Sequence, residues 1–238
     1  RVAAIHTKYA YSFTVGNVST ANSNSIQCYY PDLRCQSVSS VVQTVDFVDR
    51  MINLKMNGAL GDGASIWGKT IRYVSGVSGT YRFTMKFSYS DSDKGSWLLV
   101  GVGYKLVDFF GFGWFLTPNI PNTYDNFAIN YFIDGAPVAI PRTEWNRDKA
   151  DGTGDLGVLD LTKINVCQIQ HTYLGAGPIK FYIMNSSGNW VLVHTLDFQN
   201  TRSATTAREP SFGFFMYGYI PPGSTIGSGT DTVSCGSF

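Results

Sequence analysis

The stretch that decides the fold is I-N-V-C-Q-I-Q-H-T-Y-L-G-A-G-P-I-K-F-Y-I-M, residues 164–184. In its last part Ile179, Phe181 and Ile183 alternate with other side chains, and the glycine turn L-G-A-G separates this run from the one before it. Side chains of a β-strand point alternately to the two faces of a sheet. The stretch therefore predicts two neighbouring antiparallel strands, with Ile179, Phe181 and Ile183 facing the core.

The same period of two recurs on both sides of this stretch. The run T-Y-R-F-T-M-K-F-S-Y (80–89) places its aromatic and methionine side chains on one face, which indicates a half-buried strand. The run W-L-L-V-G-V-G-Y (97–104) is apolar on both faces and predicts a central strand. Asp134-Gly135 predicts a type I′ hairpin, and Pro137 favours a sheet edge or an irregular course for the second arm.

Helical periodicity is nearly absent, with one ambiguous segment between Val45 and Met56 that suits a short helix or a bulged strand. The β-branched residues before it favour the strand. Short strands joined by Gly, Asn, Asp and Ser turns predict an all-β, antiparallel sandwich or jelly roll with few or no helices. We assign the sandwich core to 79–220. Residues 1–78 are an N-terminal arm or further strands of the same sandwich, and 221–238 are a Gly/Ser/Thr-rich extension that is loosely held in the isolated chain.

The composition excludes some classes of function. Charged residues make up 15% of the chain, below the ~25% of ordinary domains, and aromatic residues also make up 15%. A net charge of +1 without a cluster of Lys and Arg argues against nucleic-acid binding. No run approaches the ~20 apolar residues of a membrane helix, so no membrane insertion is expected. Few charges and many aromatics suit a surface that is buried against neighbours or binds sugars.

Several short motifs follow one another in a particular order between Trp145 and Asn200. They are W-N-R-D, L-D-L-T-K, Q-I-Q, Y-L-G-A-G and a histidine strand that ends in asparagine. This order resembles β-sandwich virion proteins of tailed phages and large DNA viruses. The resemblance implies a lectin-type, concanavalin A-like jelly roll with two sheets packed face to face.

The resemblance also implies a function. It predicts a non-enzymatic structural protein of a virus particle, such as a capsid, vertex, fibre or tail component. Such a protein is located in the virion and works through contacts with other virion proteins and copies of itself, without a cofactor. The alternative is a glycan-binding, lectin-like module for host receptor attachment.

Lectin-type jelly rolls also include glycan hydrolases, which need two carboxyl groups roughly 5–10 Å apart. These enzymes usually carry them in a Glu-x-Asp-x-x-Glu-like run. The glutamates of this chain are Glu144 and Glu209, and neither lies in such a run. No Ser or Cys stands in a nucleophile elbow. The sequence therefore predicts no enzymatic activity and no catalytic residue, and it leaves the binding residues unassigned.

Three aspartates in D-K-A-D-G-T-G-D, namely Asp148, Asp151 and Asp155, are weak candidates for a calcium site. Asp/Gly loops do bind Ca²⁺, but the EF-hand order with its closing Glu is missing. A turn whose Asp side chains accept backbone N–H groups is the favoured interpretation, so no metal site is assigned.

The remaining candidates are single residues and one short segment. Cys28 and Cys35 bracket a loop short enough for a disulfide, although two free thiols remain an alternative. Cys167 is expected to be a buried thiol. His194, on the same face as Leu192 and Leu196, is expected to be a core histidine held by one hydrogen bond. The segment G-F-G-W-F (111–115) suits either an exposed aromatic loop or a buried strand.

Overall fold

A computed structural model describes most of the chain. The described residues are 33–38, 42–46, 51–56, 60–61, 63–68, 78–89, 94–104, 106–117, 120–171, 177–197, 213–225 and 231–236, the first two ranges through their backbone only. Within these ranges no helix is long and apolar enough to cross a membrane.

Two seven-stranded sheets, called sheet 1 and sheet 2 below, account for nearly all the regular structure. Sheet 1 has the order β1 (Leu33–Val38), β4 (Gly63–Gly68), β13 (Gly213–Tyr219), β6 (Trp97–Tyr104), β7 (Asp108–Trp114), β8 (Ala128–Ile133) and β9 (Ala136–Pro141). Sheet 2 has the order β12 (Trp190–Leu196), β11 (Ile179–Met184), β10 (Asn165–His171), β5 (Gly79–Ser88), β14 (Thr232–Gly236), β3 (Met51–Lys55) and β2 (Val42–Asp46). Every pairing is antiparallel, and a 3-10 turn, Arg142–Glu144, follows β9. The predicted all-β sandwich is confirmed.

The stretch that decides the fold forms β10 and β11 as expected. Ile169 lies opposite Phe181, and His171 lies opposite Ile179. Ile179, Phe181 and Ile183 are buried, because alternate side chains of β11 face sheet 1. The predicted register is therefore confirmed.

The core between the sheets is centred on Phe112 of β7. Its ring meets Phe181 of sheet 2 edge to face at 5.6 Å and lies 6.4 Å from Phe83. Trp145 packs edge to face against the same ring at 6.3 Å. Edge-to-face geometry places the positive edge of one ring against the negative face of the other, so these contacts fix how the two sheets meet.

The hairpin predicted at Asp134-Gly135 joins β8 to β9. Both residues have positive φ, 55° and 76° respectively, as a type I′ turn requires. β9 is the edge strand of sheet 1, and Pro137 lies in it. The edge position predicted for the second arm is therefore confirmed.

Three segments differ from the sequence-based expectation or resolve an alternative. The segment 221–238 was expected to be an extension, yet it contributes β14, an interior strand between β5 and β3 with Val233 and Cys235 fully buried. T-V-S-C-G is a short run without strong alternation, so its burial depends on the flanking strands. The ambiguous segment contains the end of β2 and all of β3, so strand rather than helix is confirmed, although as two paired strands and not as one bulged strand. G-F-G-W-F belongs to the buried strand β7 rather than to an exposed loop.

We expect Phe181→Ala to lower the free energy of unfolding by about 3–5 kcal/mol, because it leaves a cavity between the sheets. Lys180→Ala, one residue away on the outward face, should change it by less than about 0.5 kcal/mol. Urea titrations followed by tryptophan fluorescence measure both values. Equal losses in the two variants would contradict the register of β11.

Candidate functional site

The outward face of sheet 1 is unusually apolar. In β6, Leu98, Val100 and Val102 pack into the core between the sheets, so Trp97 and Leu99 point to the other side. Leu99 is nevertheless fully buried, together with the three phenylalanines of a second, smaller cluster. The strand β6 is thus apolar on both faces because one face packs into the main core between the sheets and the other into the smaller cluster on the outward side.

Aromatic side chains form a closed ring around Leu99, and we call this set the aromatic ring. Its members, in order around the circuit, are Trp97, Phe115, Phe132, Phe109, Phe215, Tyr217 and Tyr219. The centroids of successive rings lie between 4.1 Å and 6.2 Å apart. Such spacing lets each ring hold its neighbours in place.

Glycines below the aromatic ring let it lie directly on the backbone. Gly101 of β6 pairs with Gly111 of β7. A Cβ atom on Gly111 would lie 2.4 Å from Cζ of Phe109, closer than two carbon atoms can approach. Gly111 of β7 is therefore needed for this face, in line with the sequence-based alternative of a buried strand whose glycines allow close packing.

Half of the aromatic ring remains partly exposed. Phe109, Phe132 and Phe215 are buried, whereas Trp97 and Tyr219 keep part of their surface in solvent. The indole N–H of Trp97 donates to the carbonyl oxygen of Leu116 at 2.7 Å, which fixes the orientation of the ring. The site thus offers a rigid aromatic surface at the boundary with water. Trp and Tyr side chains suit such a boundary, because each combines an apolar ring with a polar N–H or O–H group.

The phenol of Tyr217 adds a polar group to this surface. Burial, with a smaller contribution from neighbouring Tyr219, raises the pKa of Tyr217 to about 12. Its hydroxyl therefore stays protonated at neutral pH and can donate a hydrogen bond. No member of the aromatic ring is charged at that pH, so the face suits a neutral ligand.

The sequence-predicted site residues lie elsewhere. Glu144 is exposed in the 3-10 turn, and Glu209 lies outside the described residues. Cys28 also lies outside them, and of Cys35 only the backbone is described, so their disulfide remains a prediction. Cys167 is a buried free thiol, as predicted, and burial raises its pKa well above the usual value.

The aspartate loop is held by its own hydrogen bonds. Asp148 accepts the N–H groups of Ala150 at 2.8 Å and Leu156 at 2.9 Å. Asp151 accepts from the hydroxyl and the N–H of Thr153, and these hydrogen bonds lower its pKa. Asp155 is exposed. The described part of the chain contains no group of His, Cys, Asp or Glu arranged to hold a metal ion. Asp148 and Asp151 accept backbone N–H groups of the turn.

Trp145 and Asn146, which begin the W-N-R-D motif, attach this loop to the core and to β12. Trp145 is buried in the core. The side chain of Asn146 donates to the carbonyl of Thr195 at 2.9 Å and accepts its N–H at 3.0 Å. The backbone N–H of Asn146 donates to Nδ1 of His194 at 3.1 Å. The prediction that His194 is a core histidine held by one hydrogen bond is confirmed.

One detail of the histidine prediction is wrong. Leu192 was expected to share a face with His194, but a β-bulge shifts the pairing of β12 with β11 between Phe181 and Tyr182. Leu192 therefore lies opposite Tyr182, and His194 lies opposite Phe181. A bulge adds one residue to a strand and so moves the following side chains to the other face.

Comparisons with known proteins point to one fold. No known protein family and no curated protein matches the sequence. Among solved structures, a β-1,3-glucanase from Mycobacterium marinum is similar, with a TM-score of 0.60, 9% identity and coverage of 97% of each chain. A glycosyl hydrolase family protein from Mycobacterium fortuitum has a TM-score of 0.55 at 10% identity, covering 97% of this chain and 98% of its own. Crh5 transglycosylase has a TM-score of 0.52 at 12% identity, covering 96% and 81% respectively.

At these identities the likeness shows the fold, a concanavalin A-like β-sandwich jelly roll, and so confirms the class that the sequence predicted. It contradicts two other predictions. The prediction of a virion structural protein is wrong, because the similar structures named above are glycosyl hydrolase family proteins and a transglycosylase. The exclusion of an enzyme, which rested on a missing sequence run, is contradicted by the same structures.

The two buried histidines make stability depend on pH. Burial lowers the pKa of His171 and of His194 to about 4, whereas an unfolded histidine titrates near ~6.5. Between these values the unfolded chain binds more protons than the folded one, so the free energy of unfolding falls as the pH drops from about 6.5 to about 4. Urea midpoints measured across this range should fall steadily. In the double variant His171→Gln and His194→Asn the decline should be clearly smaller, and an unchanged slope would contradict the buried neutral imidazoles.

Proposed function

We propose that this chain binds carbohydrate, and that the exposed half of the aromatic ring is the binding surface. The observation that carries the proposal is a rigid, uncharged aromatic face that stays partly open to solvent, with Trp97 at its centre. Binding is the step that lectins, glycan hydrolases and transglycosylases have in common. The aromatic face supports this step, and we therefore propose binding and no particular reaction.

The chemistry of the aromatic ring suits a neutral sugar. The flat faces of a pyranose present C–H groups, which pack against aromatic faces, while its hydroxyls point to the sides. Trp97 and Phe115 supply the aromatic area, and the hydroxyl groups of Tyr217 and Tyr219 lie beside it. A ligand surface of aromatic groups with a few placed polar atoms is typical of small-molecule and sugar sites.

The fold supports the same ligand class. The similar structures include a β-1,3-glucanase and a transglycosylase, and such proteins handle glycans on a sandwich of this kind. A neutral β-glucan is therefore the first ligand to test, because it is the class that the glucanase name gives and it suits the uncharged aromatic ring of sheet 1.

We expect the protein to bind laminarin, a soluble β-1,3-glucan, and Trp97→Ala to weaken binding by about tenfold or more, equivalent to about 1.4 kcal/mol. The reason is the loss of the central stacking surface. Trp97→Phe keeps an aromatic face and should lose less. Isothermal titration calorimetry measures all three affinities.

The matched control is Tyr104→Ala, which removes an exposed aromatic from the other end of β6, outside the aromatic ring. It should bind laminarin like the unchanged protein. Circular dichroism and thermal melts show whether Trp97→Ala remains folded, and Tyr219→Ala provides a second test at the ring's edge. Absence of laminarin binding by the unchanged protein, or equal loss in the Tyr104→Ala control, would refute the site.

A further inference from the structure

The outward face of sheet 2 differs from that of sheet 1 in charge. The strands β3, β5, β10, β11, β12 and β14 contain no Asp or Glu, and the edge strand β2 contributes one, Asp46. Their Lys and Arg residues are Lys55, Arg82, Lys86 and Lys180. All four belong to the alternate positions that face away from the core. A chain with a net charge of only +1 thus concentrates positive charge on one sheet face.

The pairing register arranges these cations in a diagonal line. Lys180 lies opposite Gln170, which in turn lies opposite Thr80 of β5. On the other side of β5, Lys55 of β3 lies opposite Thr232 of β14, which in turn lies opposite Ser88 of β5. With about 3.3 Å per residue and about 4.8 Å between strands, successive cations lie about 12–13 Å apart. We call this arrangement the cationic track.

Arg82, near the middle of the cationic track, is held in a fixed orientation. Its Nε donates to Oε1 of Gln168 at 2.8 Å, and its guanidinium lies over the ring of Trp190, 5.3 Å from the centroid. Within the described part of the chain no other hydrogen bond or ion pair engages Arg82, so its terminal nitrogens remain available as donors. A guanidinium fixed in this way is prepared for bidentate contact with a carboxylate or sulfate.

The groups between the cations are neutral and polar. They include the amide of Gln168, the phenol of Tyr182, whose hydroxyl donates to Gln170 at 3.4 Å, and the indole of Trp190. Amides and hydroxyls pair with sugar hydroxyls, and the indole offers a stacking surface beside the charge. This mixture fits a polymer that carries both hydroxyls and spaced negative charges.

We infer that the outward face of sheet 2 is a second binding surface, and that its ligand is an acidic polysaccharide with carboxylate groups. Charge complementarity and the fixed Arg82 carry the inference, which does not depend on the neutral-sugar site of sheet 1. A nucleic acid fits less well. Duplex DNA has a charge every ~1.7 Å, and cations about 12–13 Å apart neutralise few of them.

The test uses the full chain and alginate, a polyuronate, with binding measured by isothermal titration calorimetry at low salt and at physiological ionic strength. We expect binding that weakens with salt, as exposed charges are screened over about 8–10 Å. Lys86→Gln combined with Lys180→Gln should weaken it by about tenfold or more. Arg82→Lys, which keeps the charge but loses the planar fork, should weaken it by an intermediate amount.

The matched control is Arg147→Gln combined with Lys163→Gln, which removes the same charge from exposed loop positions outside sheet 2. It should change alginate affinity by less than about twofold. Trp97→Ala should leave alginate binding intact, so failure of the laminarin experiment and failure of this one are distinguishable. The inference is overturned if alginate does not bind, if the loop control loses as much affinity as the track variant, or if duplex DNA binds more tightly than alginate.

Discussion

The edge-to-face contact between Phe112 and Phe181 is the constraint on which the two-layer arrangement depends. Each ring comes from the interior of a different sheet, and together they set the separation and alignment of the layers. Because side chains alternate along a strand, fixing which residues face inward also fixes which face outward. The inward packing therefore also determines both candidate binding surfaces. Each surface consists of the alternate residues of core strands that point away from the core.

The two outward faces have different chemistry although they belong to one sandwich. Sheet 1 presents an aromatic ring that has no charged member and packs on glycines, and sheet 2 presents cations among amides and hydroxyls. A rigid sandwich keeps these faces on opposite sides of the core, so one ligand chain cannot easily contact both at once. If both proposals hold, a single copy of the protein joins two different polymers, one neutral and one acidic.

Much of the fold could be predicted from the sequence because its signals are local. The alternation of Ile179, Phe181 and Ile183 and the Asp134-Gly135 turn each act within a few residues, and both predictions are confirmed. β14 could not be predicted, because T-V-S-C-G gains its strand character from two neighbours distant in sequence.

The candidate site was harder to predict for a related reason. Trp97 and Tyr217 sit in strands that are apolar on both faces, and a sequence pattern cannot tell which face closes the main core. The sequence did contain one relevant signal, namely the alternate glycines in the aromatic-containing strands β6 and β7. The functional prediction failed because the ordered motif of 145–200 records packing, as Trp145 and Asn146 show, and packing motifs recur among proteins with different functions.

The position of β14 has a consequence for how the chain acquires its structure. This strand lies between β5 and β3, so sheet 2 remains two separate pieces until residues 232–236 have left the ribosome. During synthesis β5 and β3 each present an unpaired edge of backbone N–H and C=O groups, which can pair with another chain. Sheet 2 is therefore joined only when β14 pairs with both strands, and long-range pairing of this kind is slow.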